Sequence, residues 1–387
     1  MASSLTATNR VHAILATDDH ADAIATFYRE AWGEPATPEI ILAARRTSAA
    51  ENVAVPGEPP PIALVLEGSR VIGHLGSIPY RLWDGIAEHP AHWTKGLMVL
   101  PEYRNGPIGF LVVKTLTAEL SLATALVVAP PARRLFCALG YTDLGAVPNY
   151  VRPLRTARLA RRVDVAGLNA GLPRWAARGV RAAQRLGLAG LAGAAAGVAV
   201  DVLAAATRRV AAPLEAATVS QPPGLDELDA LWRDARRTIA AGPVRDGRYL
   251  RGRFGAAQYV FVVVRDRARL AGVAVLRRPR AISDPRLRGL RVATISDVVF
   301  PAERADVGLA LLGGVERAAR AADADAILCT TGQRALARLL RRQAYLGLTG
   351  NVHFLLRDRS GAGAAHWPPD LASWGLARGD GDADEVF

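Results

Sequence analysis

Trp93-Thr94-Lys95-Gly96-Leu97-Met98-Val99-Leu100-Pro101-Glu102-Tyr103-Arg104-Asn105-Gly106-Pro107-Ile108-Gly109-Phe110-Leu111 reads as a strand, a tight polar turn and a helix. Leu97 to Leu100 is a short apolar run of strand type that Pro101 ends, and Asn105-Gly106 is a turn dipeptide. Pro107 suits the first helical position with Gly106 as cap, and Phe110, Leu111, Val113, Leu116 and Leu120 then recur at helical spacing. A strand that feeds such a turn into a helix aims free backbone N–H groups and the positive helix end at one point. That is an anion site, and phosphate is its common occupant. No Gly-Lys-Ser/Thr follows, so the turn is not a P-loop. Gly-x-Gly-x-x-Gly is absent, so it is not a dinucleotide fingerprint.

Working outward, residues 11–150 alternate strand and helix patterns. Val11–Leu15 is a strand, and Asp18 or Asp19 caps a helix carrying Ile24, Phe27, Tyr28 and Trp32. Ile62–Leu66 and Val71–Ile78 form a hairpin around Glu67-Gly68-Ser69-Arg70. After the central stretch, Ala125–Val128 reads as a buried strand and Pro131 opens a helix through Leu135, Phe136 and Leu139. Gly140-Tyr141 ends that helix, and Tyr150–Leu154 closes the sheet.

The central stretch resembles the signature of the GNAT acyltransferase superfamily, Val-x-Pro-x-Tyr-Arg followed by Arg-x-x-Gly-x-Gly or Ala. Val99, Pro101, Tyr103, Arg104 and Gly109 match it, whereas Pro107 stands where the family has its middle Gly and removes one N–H donor. Ala132–Tyr141 is similar to the family's Ala-x-x-Leu-Tyr-x-x-x-Gly-Phe helix, so the resemblance spans most of residues 11–155. It implies acyl transfer from a coenzyme A thioester to an amine. Met98, Val99, Arg104, Asn105, Gly106, Ile108, Gly109 and Phe110 would hold the coenzyme, and an N–H near Met98–Val99 would stabilise the oxyanion. The family often places a Tyr on the second helix to protonate the leaving thiolate. Here that position is Phe136, Cys137 beside it reads as core packing, and Ala129-Pro130-Pro131 stands where an Asn is common, so the acid stays unassigned. Candidate bases are His92, His74 and Asp84, with His92 first.

From Pro222 the same plan recurs, which makes the chain an internal repeat. Val299 and Pro301 parallel Val99 and Pro101, and Val352–Leu356 is the last strand. The loop Ala302–Gly308 lacks the Arg-x-x-Gly pattern, and Glu303 and Asp306 repel phosphate. Asp297, polar inside an apolar strand, either lines a cleft or is hydrogen-bonded in place. The fold expected is thus α/β (α+β), with two GNAT-like mixed-sheet domains joined by a helical linker. The limits read are 1–157 for the acyl-CoA-binding copy, 158–215 for the linker, 216–358 for the degenerate copy and 359–387 for a tail. Alternating carboxylates over Asp380–Glu385 read as an acidic solvated tail, because the rest of a calcium loop is missing.

Residues 152–209 carry eleven arginines against two aspartates, most of the excess behind the net charge of +12. Arg174, Arg178, Arg181 and Arg185 fall on one helical stripe, and Leu186–Val200 is free of charge but rich in Ala and Gly. One reading is weak peripheral contact with anionic lipid through 158–209; the other, preferred for so short a run, is a structural bridge. Stacking aromatics are nearly absent there, which argues against nucleic acid. Lys95 and Lys114 are the only lysines, and Cys137 and Cys329 form no disulfide framework. No secretory pattern opens the chain, so a cytoplasmic location is expected. The function expected is N-acyl transfer from acetyl-CoA, or another acyl-CoA, to a small-molecule or sugar-like amine, without a metal. Two alternatives stay open: a non-catalytic tandem fold that holds such a ligand, and a relative of tandem peptidyl transferases that use aminoacyl-tRNA. The stretch Arg248–Phe254 also loosely resembles acyltransferases of bacterial surface-polysaccharide pathways.

Overall fold

The computed structural model describes residues 11–162, 214–281, 289–359 and 367–384, with isolated positions between 178 and 204. Arg174, Arg181 and most of Leu186–Val200 lie outside the described residues, and with them the choice between lipid contact and bridge. The chain divides into two compact units, each discontinuous in sequence. The first comprises Met1–Leu82, His89–Leu144 and Phe354–His366; the second comprises Trp83–Glu88, Gly145–His353 and Trp367–Phe387.

The first unit holds β1 (Val11–Leu15), α1 (Ala21–Trp32), α2 (Pro38–Glu51), β2 (Ala63–Glu67), β3 (Arg70–Trp83), β4 (Glu88–Val99), α3 (Ile108–Glu119), β5 (Leu122–Leu126) and α4 (Pro130–Ala138). Strands β1 to β5 lie side by side in chain order. β1–β2 and β2–β3 are antiparallel, and β4–β5 is parallel. Helix α2 escaped the sequence reading, although Thr37 caps it by accepting from the Ile40 N–H at 3.4 Å and Pro38 follows at its first position. Pro107 is the cap of α3 rather than its first residue. The strand expected over Ala125–Val128 instead covers Leu122–Leu126, because Val127 has φ +56 and turns the chain out of the sheet.

The second unit holds β6 (Thr142–Pro153, from Gly145 onward), α5 (Thr156–Arg162), β7 (Ala216–Val219), α6 (Leu225–Ala235), a short β8 (Gly242–Pro243), α7 (Gly247–Phe254), β9 (Tyr259–Asp266), β10 (Arg269–Ala281), β11 (Arg291–Val299), α8 (Ala305–Ala321), β12 (Ala326–Thr330) and α9 (Arg334–Arg342). Its strand order is β6-β12-β11-β10-β9-β7. Only β11–β12 among the described ladders of this run is parallel.

Two local details recur in the two units. A Cβ on Gly73 of β3 would lie 2.7 Å from Ile108 Cγ2 at the start of α3, and one on Gly272 of β10 would lie 2.5 Å from Val307 Cγ1 at the start of α8. In each unit the helix after the key strand is seated on a hairpin glycine. Each helix then buries an aliphatic stripe, Val112, Val113 and Leu116 in one and Leu311, Leu312 and Val315 in the other.

The last strands are exchanged relative to the sequence reading. Tyr150–Leu154 does not close the first sheet, since Asn149–Pro153 pairs antiparallel with β12, from Asn149 opposite Thr330 to Pro153 opposite Ala326. Beside β5 lies the end of β13 (Leu346–Asp358), from Phe354 opposite Leu126 to Asp358 opposite Leu122. Arg152, fully buried in β6, donates to Asp201 at 2.7 Å and Glu316 at 3.4 Å, both residues of the second unit. The expected solvated acidic tail is also corrected. Asp380 and Asp384 are buried in the second unit, where arginine and tyrosine donate to Asp380 and tyrosine and serine donate to one oxygen of Asp384, its Oδ1 having no hydrogen-bond partner among the described residues.

Candidate active site

In the first unit the parallel β4–β5 ladder holds only two partner pairs, His92 opposite Ala123 and Trp93 opposite Thr124. A hydroxyl network pins the point where the strands part. Tyr80 Oη and Thr124 Oγ1 are 2.9 Å apart, Thr124 Oγ1 donates to the His92 carbonyl at 3.3 Å, and Thr94 Oγ1 donates to the Thr124 carbonyl at 3.3 Å. Trp93 stacks on Tyr80 with ring centroids 4.8 Å apart. Beyond this clasp β4 runs on to Val99 while β5 stops at Leu126, and Lys95 to Val99 are half-buried. Two diverging parallel strands leave facing N–H and C=O groups that a ligand bearing amides can pair.

Gly96, at φ +65, turns the strand inside this wedge. Its carbonyl lies 3.0 Å from His74 Nδ1. A carbonyl only accepts, so Nδ1 carries the proton and Nε2 accepts from the Tyr28 hydroxyl at 3.2 Å. Phe27, Tyr28 and Trp32 surround the imidazole, and burial pushes its pKa down to about 4. His74 therefore holds the bend of β4 in place and has no lone pair left for a substrate proton. His92 is half-buried, burial lowers it to about 4, and its ring makes no hydrogen bond among the described residues. It is neutral near pH 7 and can accept a proton. Asp84 sits in the second unit, where its Oδ1 accepts from the N–H groups of Ile86 and Ala87, both at 2.7 Å, and so shapes a turn.

The wedge leads to the start of α3. Pro101–Tyr103 forms one 3₁₀ turn tied back to the hairpin, where Tyr103 Oη donates to Glu67 at 2.6 Å and Arg70 bonds Glu102 at 3.0 Å. The Gly106 N–H donates to the Tyr103 carbonyl at 3.1 Å and is not available to a ligand. Arg104 folds back, its Nε donating to the Val99 carbonyl at 3.0 Å. Ile108, Gly109 and Phe110 fill the first turn of α3, which carries no side-chain cap and no acidic residue. Their N–H groups are the helix's own unsatisfied donors. Asn105 and Phe110 are exposed, and Lys114 Nζ stands 5.9 Å from the Phe110 ring centre. A Cβ on Gly109 would meet Leu135 Cδ2 at 3.5 Å and Val99 Cγ2 at 4.0 Å, so this glycine faces the space between β4 and α4. Val99 on the strand thus comes against Gly109 on the helix.

On α4, Phe136 is buried and packs edge-on against Tyr141 at 4.9 Å, whereas Cys137 is exposed, contrary to the core position expected for it. The Tyr141 hydroxyl, missed in the sequence, is buried without a hydrogen-bond partner among the described residues, and burial raises its pKa. It is a phenol beside Phe136 that keeps its proton. In the second unit Asp297 is hydrogen-bonded in place, as one of the two sequence readings had it: Arg245 Nε reaches its oxygens at 2.7 and 2.8 Å. No group of metal-ligating side chains occurs among the described residues, and no described helix is long and apolar enough to cross a membrane.

No protein-family profile and no curated protein matches the chain. Solved structures do. A probable N-acyltransferase from Enterococcus faecalis V583 is 11% identical with a TM-score of 0.55, over 90% of this chain and 73% of that one. A GCN5-related N-acetyltransferase from Anabaena variabilis is 12% identical with a TM-score of 0.54, over 91% and 73%. N-myristoyltransferase of Saccharomyces cerevisiae, with bound myristoyl-CoA, is 13% identical with a TM-score of 0.54, over 92% and 84%. At such identities the likeness is one of fold: the chain has the mixed α/β architecture of the GCN5-related and N-myristoyltransferase structures.

Proposed function

We propose that the protein is an acyl-CoA-dependent N-acyltransferase whose first unit carries the reaction. The observation that carries this reading is the parting of β4 from β5 directly before the uncapped, acid-free start of α3. The chemistry of the donors fits coenzyme A. Its pantetheine amides suit two diverging parallel strands, and its pyrophosphate suits the N–H groups of Ile108, Gly109 and Phe110 with the Lys114 charge beside them. Pro107 and the occupied Gly106 N–H reduce the donor set without closing it.

His92 takes the proton of the attacking amine. The amine nitrogen then bonds the thioester carbon, an N–H near Met98–Val99 holds the oxyanion, and the C–S bond breaks to release the thiolate. A base lowered to about 4 is weak, so most amine reaching it must already be neutral, and turnover rises with pH toward the amine's own pKa. Acetyl is the acyl group proposed, a small-molecule or sugar-like amine the acceptor, and the cytoplasm the location; nucleic acid and metal have no part in this reading. A second reading, a tandem fold that holds acyl-CoA without turnover, is favoured by Phe136, which has no hydroxyl to give the thiolate its proton.

Native mass spectrometry with acetyl-CoA and with myristoyl-CoA separates these readings when joined to thiol release over a panel of amines. The expected result is one coenzyme per chain and release that requires amine. His92→Gln should keep binding and slow release about a hundredfold. Binding without release on any amine supports the second reading, and no binding of either thioester rejects both.

A further inference from the structure

The second unit repeats the parting of parallel strands. β11 and β12 pair through four positions, from Val292 opposite Ala326 to Ile295 opposite Cys329, and then diverge. Into this second wedge runs the chain's own C-terminal segment, hydrogen-bonded on both sides. On the β11 side the Gly379 N–H donates to the Ser296 carbonyl at 2.7 Å. On the β12 side Ala377 bridges antiparallel to Thr331, and the Gly332 N–H reaches the Leu376 carbonyl at 3.4 Å. Just before the wedge, the Gly375 N–H donates to the Ala241 carbonyl at 2.7 Å.

The groove is shaped for this backbone. A Cβ on Gly332 would lie 2.4 Å from the Leu371 carbonyl oxygen, and one on Gly379 would lie 2.6 Å from Phe254 and 2.8 Å from the Ser296 oxygen. It is also charged for it. Arg245 grips both oxygens of Asp380 at 3.0 Å with one nitrogen while its Nε holds Asp297, and Tyr249 donates to Asp380 at 3.1 Å. Arg253 Nε donates to the Gly379 carbonyl at 3.2 Å. Asp384 accepts from Ser296 Oγ at 2.6 Å and Tyr259 Oη at 3.1 Å, and its carbonyl accepts from Arg280 at 3.2 Å. These donors come from separate elements (Arg253 from α7, Tyr259 from β9, Arg280 from β10, Ser296 from β11), and they converge on two carboxylates and a run of carbonyls.

We propose that the β11–β12 wedge is a groove for an acidic peptide that enters extended and then turns, and that Trp374–Asp384, turned from Arg378 onward, is its resident ligand. This plug fills in the second copy the cleft that the first copy keeps for its thioester. The comparison with the thioester rests on the function proposed above, but the groove and its occupant do not, and they are tested without coenzyme.

A protease recognition sequence placed within residues 360–366 of the full chain allows the connection to β13 to be cut. The severed piece is then followed by native mass spectrometry, with a labelled synthetic peptide of residues 367–387 added in excess. The expected result is that the severed piece stays bound through gel filtration and exchanges with the labelled peptide. Asp380→Asn, which removes the charge facing Arg245, should speed its loss about a hundredfold. Ser296→Ala, which deletes a single hydroxyl, should speed it about fivefold. Three outcomes overturn the proposal: the severed piece elutes away from a folded remainder, the cut chain unfolds while the piece is still attached, or both variants lose the piece at the parental rate. Failure to bind acyl-CoA would sink the function proposed above and leave this result standing.

Discussion

β4 with β5 in the first unit, and β11 with β12 in the second, are parallel pairs that separate after a short ladder and lead into a helix. The helix starts differ. α3 opens with Ile108, Gly109 and Phe110, without a carboxylate in its first turn. α8 opens with Asp306, whose carboxylate is held ionised by Arg304 at 2.8 Å, and Arg304 also reaches Asp266 at 3.0 Å. An anion approaching α8 meets a negative charge already seated at the positive helix end. The wedges differ too, since the second is lined with donors that face the C-terminal carboxylates. Both copies keep the sheet, the hairpin glycine and the apolar helix stripe, and they differ in whether a carboxylate stands at the helix start.

The harshest way to break the comparison is to give the first copy the second copy's charge. Gly109→Glu adds a carboxylate at the start of α3 on the face toward Val99 and Leu135. The new Cβ makes ordinary contacts there, so the fold should survive. Like charge and bulk together should weaken coenzyme A binding by more than a hundredfold, because each acts at the phosphate position. Calorimetry on the folded variant reads this directly. Unchanged affinity would remove α3 from the site.

A milder test uses acid. Burial lowers His74 to about 4, while an unfolded histidine takes its proton near 6.5. The folded state therefore resists a proton that the unfolded state binds. Stability from this residue is complete above about pH 6.5 and falls as pH drops, reaching a loss of about 3 kcal/mol near pH 4. The ring is bonded to Gly96 and Tyr28, so the loss belongs to the first unit. Hydrogen exchange at pH 5 should show Val71–Leu75 and Thr94–Val99 opening before Thr294–Val299. Simultaneous opening would mean that His74 does not set the acid limit of its unit.

Much of this was legible in the sequence because it is local. The turn residues, the apolar spacing of α3 and the repeated Val-x-Pro of Val99 and Val299 lie within a few residues of one another. Partners are not local. Tyr150–Leu154 and Val352–Leu356 are both short apolar strands, and nothing within either says which neighbour it will have. The sheet puts Tyr150 opposite Cys329 and Phe354 opposite Leu126, at separations no short pattern encodes. The acidic tail misled for a related reason. Asp380 reads as solvated until Arg245, Tyr249 and the rest of its donors are brought around it by distant elements. Among the candidate residues, the structural role of His74 was not visible in the sequence. A histidine in an apolar strand shows its commitment only once Gly96 and Tyr28 are seen against its two nitrogens.

The smallest effect expected comes from Lys114, nearly two turns beyond the start of α3 and close to the exposed Phe110 ring. An exposed cation near a bound phosphate contributes about 0.3–1 kcal/mol, so Lys114→Gln should weaken coenzyme A binding by roughly two- to fivefold. The same interaction is screened by added ions, so the ratio between parent and variant should shrink toward one at about 0.5 M salt. The matched change in the second copy is Arg304→Gln. Arg304 is already paired with Asp306 and Asp266, and its charge is neutralised where it stands. That variant should leave coenzyme affinity and stoichiometry unchanged at every salt concentration. Equal losses for the two variants, or a Lys114→Gln loss that salt does not reduce, would show that charge beside the helix start does not distinguish the copies.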